Sequence, residues 1–385
     1  MNARRLLLEL FDAALRAVDG RASVERFLES HRIPGPIVVF AIGKAASRMT
    51  LGAHASLDDE VAETLVITKD GHGEPGLATL PATTLIEAAH PWPDARSLAA
   101  GAELERRVRG LPDGVTPLFL VSGGSSSLVE SLCDGVTFED LTALTARGLA
   151  AGWDIGTLNS ERQRLSRLKG GGIARLLRGR AAFALFISDV PGDDPGVIGS
   201  GLLGRNGSAV DAVERHIVAN VDAAVRAAVD AAAAHGLRFE TGARRFDGDA
   251  AHVAQTFVEA LRVSEADGLV WGGESTVTLP AEPGRGGRNT HLALAAARRL
   301  RAQESLVILA AGTDGTDGPT TDAGAIVDAG TVTRAEIGGC DVERAFGEFD
   351  SGFALECAGD LVHTGPTGTN VGDILIGCKR LPRML

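Results

Sequence analysis

The sequence predicts an α/β protein, a doubly wound parallel sheet followed by a second α/β domain. Three observations carry this. Short, continuous apolar runs recur at 37–42, 116–121 and 183–188, and such runs suit strands buried on both faces. Segments with helical periodicity lie between them, so strands and helices alternate. Nearly every apolar run ends in a loop rich in glycine, hydroxyl or charged residues, and open α/β sheets bind ligands outside the carboxyl ends of their strands.

Residues 3–18 place Leu7, Leu10, Phe11, Ala14, Leu15 and Val18 on one helical face, with Gly20 as the expected stop. Strand 37–42 runs into Gly43-Lys44-Ala45-Ala46 and a helix. Strand 65–68 ends in Lys69-Asp70-Gly71-His72-Gly73, and strand 84–88 leads through His90-Pro91-Trp92-Pro93-Asp94 to a helix over 95–109. Strand 116–121 passes into Ser122-Gly123-Gly124-Ser125-Ser126-Ser127 and resumed helical spacing. Thr137 caps a helix expected to reach Trp153. The stretch 159–180 is strongly basic and holds Lys169-Gly170-Gly171-Gly172, which reads either as a solvated helix face or as an anion-facing turn. Strand 183–188 ends in Asp189-Val190-Pro191-Gly192-Asp193-Asp194, followed by a short strand at 217–218 and an alanine-rich helix over 220–234 stopped by Gly236.

A polar stretch at 236–250 marks the boundary, giving domains at 1–237 and 238–385, with the first helix free to pack on the second domain. There the pattern predicts strands 269–272 and 275–279, a glycine-arginine loop at 283–289, a helix over 290–303, and strand 306–311 leading into Gly312-Thr313-Asp314-Gly315-Thr316-Asp317-Gly318-Pro319.

Composition narrows the function. The 385 residues carry a formal net charge of -12, which argues against general nucleic-acid binding. No run approaches the roughly 18 apolar residues of a membrane span, and Glu9 and Asp12 interrupt what could pass for a signal peptide. Four cysteines without metal-ligand spacing point to reduced thiols and a cytoplasmic location. Of 38 basic residues only Lys44, Lys69, Lys169 and Lys379 are lysines, which singles out positions where a compact ammonium matters.

A strand that turns through glycines into a helix N-terminus presents unpaired N–H groups suited to phosphate. The loops at Lys44, Lys69, 122–127, 189–194, 284–289 and 314–317 could converge on one cleft. Their glycines, serines, lysines and arginines suit phosphate, and their aspartates suit magnesium. Together they supply what phosphoryl transfer needs, positioning and charge neutralisation. Asp193, Asp194, Asp314 and Asp317 also read as ordinary turn residues. No P-loop motif is present. Gly199-Ser200-Gly201-Leu202-Leu203-Gly204 matches G-x-G-x-x-G in form but lies well past its strand, which is the wrong place for a dinucleotide turn.

Six stretches resemble the glycerate 2-kinases of the MOFRL class: Ser122-Gly123-Gly124, the run from Asn159 and Arg162 to Lys169-Gly170-Gly171, 188–194, Gly286-Gly287-Arg288-Asn289, 312–319, and Thr364-Gly365-Pro366-Thr367-Gly368-Thr369-Asn370. The resemblance implies a Rossmann-like first domain, a second MOFRL α/β domain, an interdomain cleft, and ATP- and magnesium-dependent phosphorylation of D-glycerate at its 2-hydroxyl. It casts Lys44, Arg288 and Asp189 as catalytic. Ser122, Gly123, Gly124, Ser125, Ser126, Lys169 and Gly170 are expected to cradle phosphates. Lys69, Arg288, Asp314 and Asp317 are expected at the substrate, and Asp189 and Asp193 at magnesium. Leu202-Leu203 and Asp70 depart from the family pattern, which bears on substrate detail. The alternatives are an NAD(P)-dependent hydroxypyruvate reductase and a non-catalytic phosphosugar- or nucleotide-binding regulator. The oligomeric state stays open, with a homodimer as one outcome.

Overall fold

The computed structural model describes residues 2–150, 155–205 and 212–379. The expected helix end at Trp153 lies outside them. Two compact units make up the chain: Asp19–Asn220 with Gly368–Asn370, and Met1–Val18 with Val221–Thr367 and Val371–Leu385.

The chain opens with α1 (Ala3–Ala17) and α2 (Gly20–Ser30). Gly20 begins a helix instead of ending one, because the Asp19 side chain accepts from Ala22 N at 2.9 Å and caps it. In the first unit β1 (Ile37–Ile42), β2 (Val61–Lys69), β3 (Thr83–Ala88), β4 (Thr116–Val121), β5 (Ala182–Ile187) and β6 (Val213–Ala219) form one sheet in the order β3-β2-β1-β4-β5-β6. Every pairing in it is parallel. That order reverses direction between β1 and β4, the topological switch point of a Rossmann-like sheet. Phe40 and Phe119 sit in register and stack at 5.1 Å in a core that also takes Leu104 and Val108. The helices of this unit are α2, α3 (Ala46–Leu57), α4 (Ala95–Arg109), α5 (Ser125–Leu128), α6 (Phe138–Ala150), α7 (Ile155–Leu165) and α8 (Gly172–Leu176). Only one helical turn, α5, follows the glycine-serine turn. Thr137 caps α6 as its spacing predicts, its Oγ1 accepting from Asp140 N at 3.2 Å.

The second unit holds α1, α9 (Val221–Ala234), β7 (Phe239–Thr241), β8 (Phe246–Asp249), α10 (Ala250–Val263), β9 (Gly268–Thr276), α11 (Arg288–Ala297), β10 (Val307–Gly312), β11 (Gly324–Asp328), α12 (Thr331–Ile337), α13 (Val342–Gly347), α14 (Ser351–Ala358), β12 (Leu361–Val362) and β13 (Asp373–Cys378). Its sheet runs β12-β11-β10-β13-β9-β7, with β8 also on β9. It is mixed: β13 is antiparallel to β9 and β10, whereas β7 and β8 run parallel to β9. The compact units divide at Asn220/Val221, ahead of the polar stretch at 236–250, because α9 packs on α1 and β9. The strand expected at 275–279 ends with β9 at Thr276, and the helix expected to 303 ends at Ala297. Phe257 of α10 meets Trp271 of β9 edge-on at 4.9 Å in the core of this unit.

Candidate functional site

The switch point between β1 and β4 carries the densest chemistry of the first unit. Gly43 follows β1 at φ +130°, and a Cβ there would lie 2.2 Å from Ser122 Oγ, so only glycine fits. Lys44 N donates to Gly123 O at 3.0 Å, and Ala45 N donates to Ser122 Oγ at 3.0 Å. These bonds lock the turn after β1 onto the turn after β4. Gly124, at φ +85°, precedes α5, and a Cβ on it would stand 3.2 Å from both the Lys44 stem and the His90 ring. Lys69 closes β2. Its carbonyl accepts from His72 N, and His72 Nδ1 lies 3.3 Å from Lys44 O, so the two lysine-bearing turns pack through His72. Asp70 is engaged by Arg96 at 2.5 and 2.8 Å.

The loop after β5 enters the same place. Asp189 Oδ2 accepts from Asn370 Nδ2 at 2.8 Å. A Cβ on Gly123 would lie 1.8 Å from that oxygen and 2.0 Å from that nitrogen, so the pair rests directly on Gly123. Asp193, in the left-handed region at φ +52°, accepts from Asn220 Nδ2 at 2.8 Å. The structure thus brings Lys44, Ser122, Gly123, Gly124 and Asp189 together and adds His90 and Asn370, which were not assigned site roles from sequence. The only signal for Asn370 is its place at the end of the 364–370 motif.

Two sequence candidates turn elsewhere. Lys169, 2% exposed, does not face solvent or a ligand loop, because its ammonium donates to Glu130, itself 1% exposed. Ser166 Oγ donates to the other Glu130 oxygen at 2.5 Å. Burial pulls the Lys169 pKa below the ordinary lysine value against the opposing pull of Glu130. Gly170 N donates to Ser200 O at 3.0 Å and Gly171 N to Gly201 O at 2.7 Å, so these amides are not offered to a phosphate. Ser126 Oγ reaches Ser200 Oγ at 2.9 Å, and Ser125 Oγ, fully buried, sits where a Gly199 Cβ would come within 2.4 Å. The Gly199 and Gly201 turn is therefore a brace between the lysine-glycine loop and the serine turn. It is a 3-10 turn that does not follow a strand directly, as a dinucleotide site would.

In the second unit α11 starts at Arg288. Its guanidinium forks onto Asp373 through Nε at 2.6 Å and Nη2 at 2.9 Å, and Nη1 reaches Glu274 at 2.6 Å. Burial works against this charge, but the Asp373 and Glu274 carboxylates outweigh it and hold the arginine pKa above its ordinary value. The Arg288 side chain keeps 34% of its surface exposed while Asp373 is fully buried, so the arginine is oriented from beneath. Asp317, 1% exposed, caps α11: its carboxylate accepts from Asn289 N at 2.9 Å, Thr290 N at 2.8 Å and Thr290 Oγ1 at 2.8 Å. Both oxygens of this residue, expected at the substrate, serve the start of the helix. Asp314 Oδ1 accepts from Thr316 N at 2.9 Å, an Asx turn that leaves the residue 6% exposed.

Among the described residues no three His, Cys, Asp or Glu side chains gather into a metal-sized site. Asp189 and Asp193 each have one oxygen on an asparagine amide. A carboxylate is the ligand type magnesium takes, one or two at a time, the rest of its shell being water and substrate phosphate, whereas a metal that needs a full protein cage has no such cage among the described residues. No helix among the described residues is long and apolar enough to cross a membrane.

Residues 6–233 match the family described as a domain of unknown function, DUF4147, and residues 268–373 match the MOFRL family. A Thermotoga maritima protein named D-glycerate 2-kinase is 32% identical over 98% of both chains. An Agrobacterium vitis relative, 33% identical over 97% of this chain and 94% of its own length, carries a provisional name as a hydroxypyruvate reductase. The crystal structure of a glycerate kinase from Thermotoga maritima superposes with a TM-score of 0.85 at 32% identity, covering 98% of this chain and 99% of that one. The fold order, the glycine-lysine and glycine-arginine turns and this full-length similarity agree: the chain belongs to the MOFRL family of glycerate 2-kinases.

Proposed function

We propose that the protein phosphorylates D-glycerate at its 2-hydroxyl with ATP, yielding 2-phosphoglycerate. The observation that carries this reading is the meeting of Lys44, the Ser122-Gly123-Gly124 turn and Asp189 at the switch point of the parallel sheet. A cation, glycine-rich amides and a carboxylate at one such point suit a polyphosphate and its counterion. In this reading Lys44 neutralises charge on the transferring phosphoryl group, and Arg288, oriented by its fork onto Asp373, receives the glycerate carboxylate on the Nη1 and Nη2 N–H bonds beyond those given to Asp373 and Glu274. The turn at 122–126 cradles phosphate, and Lys69 and Asp314 contribute to substrate binding. Asp189 and Asp193 would hold magnesium, which supplies charge neutralisation when bound. A cytoplasmic location accords with four free cysteines.

Phosphorus NMR of products formed from ATP, magnesium and D-glycerate tests the reaction and separates 2-phosphoglycerate from 3-phosphoglycerate. Loss of one preorganised charge contact costs about 3 kcal/mol, or about a hundredfold in rate. Lys44→Ala should therefore stay folded and lose turnover on that scale, and near-native activity in it overturns the lysine's role.

A further inference from the structure

Between α9 and the β7–β8 connection of the second unit lies a cavity of about 220 Å³, lined by Asp222, Arg226, Gly242, Arg244, Arg245 and Gly272 among others. Its β9 wall is bare at Gly272, where Val221 and Val225 of α9 leave no room for a Cβ, the nearest atoms being at 2.5 and 2.8 Å. Arg245 is anchored: Nε and Nη2 donate to the two Asp222 oxygens at 3.1 and 2.9 Å. That pair is electrically closed. Arg226, one helical turn on from Asp222, and Arg244 bring two further guanidiniums to the same hollow. Neither has a hydrogen-bond or ion-pair partner among the described residues. Elsewhere arginines such as Arg48, Arg107 and Arg334 are paired with carboxylates. A concavity with two uncompensated positive charges in a chain of net charge -12 is a local reversal of sign.

We propose that this cavity is a binding site for a small phosphate-bearing anion, a site distinct from the residues placed in the reaction. Guanidinium forks match phosphate oxygens bidentately, and Arg245, held by Asp222, gives the hollow a fixed wall. The volume of about 220 Å³ is below the roughly 300–1,000 Å³ of sites that enclose drug-sized ligands and suits a single phosphate group. Gly272 precedes Glu274, the Arg288 partner, on the same strand, which places the bound anion close in sequence to that cluster.

Calorimetric titration with inorganic phosphate and with glycerol phosphate, at ionic strength fixed with chloride, tests this on the full chain without ATP. Wild type should bind saturably, the double variant Arg226→Ala/Arg244→Ala should bind at least tenfold more weakly, and Lys44→Ala should keep the site. Both arginines are exposed, and an unchanged melting temperature in the double variant confirms its fold. Tighter glycerol phosphate binding identifies a phosphomonoester as the ligand, and tighter inorganic phosphate binding identifies the free ion. Absence of saturable binding, equal affinity in the double variant, or loss of binding only in Lys44→Ala overturns the proposal. None of these results depends on kinase turnover.

Discussion

Asn370 Nδ2 donates to Asp189 Oδ2 at 2.8 Å across 181 positions of sequence, and the pair lies against the bare Cα of Gly123. The amide fixes one carboxylate oxygen and leaves the other orientation-defined. A hydrogen bond to a charged group contributes about 1.5–3 kcal/mol. If that amount is lost from transition-state stabilisation, Asn370→Ala should lower kcat by about ten- to a hundredfold. Asn370→Asp should do worse, since it sets a second carboxylate against the first. Steady-state kinetics on folded variants, checked by circular dichroism, decide this, and native kcat in Asn370→Ala removes the positioning role.

Gly123→Ala should be more damaging than its single methyl suggests. The new Cβ would meet the Asp189 oxygen at 1.8 Å and the Asn370 nitrogen at 2.0 Å. Both groups must move, so a site that needs them in place loses activity by on the order of a hundredfold or more, as misplaced catalytic groups do. The parallel sheet core is untouched. A variant that retains activity would show that neither Asp189 nor Asn370 is needed where it stands.

The buried Lys169–Glu130 pair predicts a different signature, in stability. Removing one member strands a charge at 1–2% exposure, which costs about 3–5 kcal/mol. Lys169→Met and Glu130→Leu should each lower the urea midpoint markedly, while the double replacement recovers much of the loss. Recovery absent in the double variant would show that the pair is required for more than mutual neutralisation.

What the sequence disclosed follows from these cases. Runs 37–42, 95–109 and 116–121 coincide with β1, α4 and β4 because their burial is written as continuous or helically spaced apolar residues. Lys44 and the turn at 122–124 were legible because glycines at strand ends mark where backbones must approach closely. A lysine beside glycines has the same pattern whether it faces an anion or a buried carboxylate, and Lys169 faces a carboxylate. Its partner Glu130 lies 39 positions away with no local signal. Asp373, which orients Arg288, opens β13, a short strand between a glycine loop and the chain end that no spacing signal marks. Long-range polar pairing leaves no period in a sequence, and that is what separates the legible half of each cluster from the hidden half.

His291 gives a pH test of the second unit. Its ring stacks between Phe346 and Phe349 at centroid distances of 4.4 and 4.3 Å, is 4% exposed, and leaves Nδ1 without a partner. Burial lowers its pKa from 6.5 to about 4, the Asp249 charge opposing and the Arg298 charge adding to that shift. Between those values the unfolded chain binds a proton that the folded chain refuses, so stability rises with pH in that window and falls as pH drops from 6.5 toward 4. Realising the full shift corresponds to a loss of about 3 kcal/mol. His291→Phe removes the titrating group and keeps an aromatic ring between its neighbours. The variant should therefore show a flatter dependence of the urea midpoint on pH between 6.5 and 4 than the wild type, and identical slopes would mean that His291 is not buried neutral.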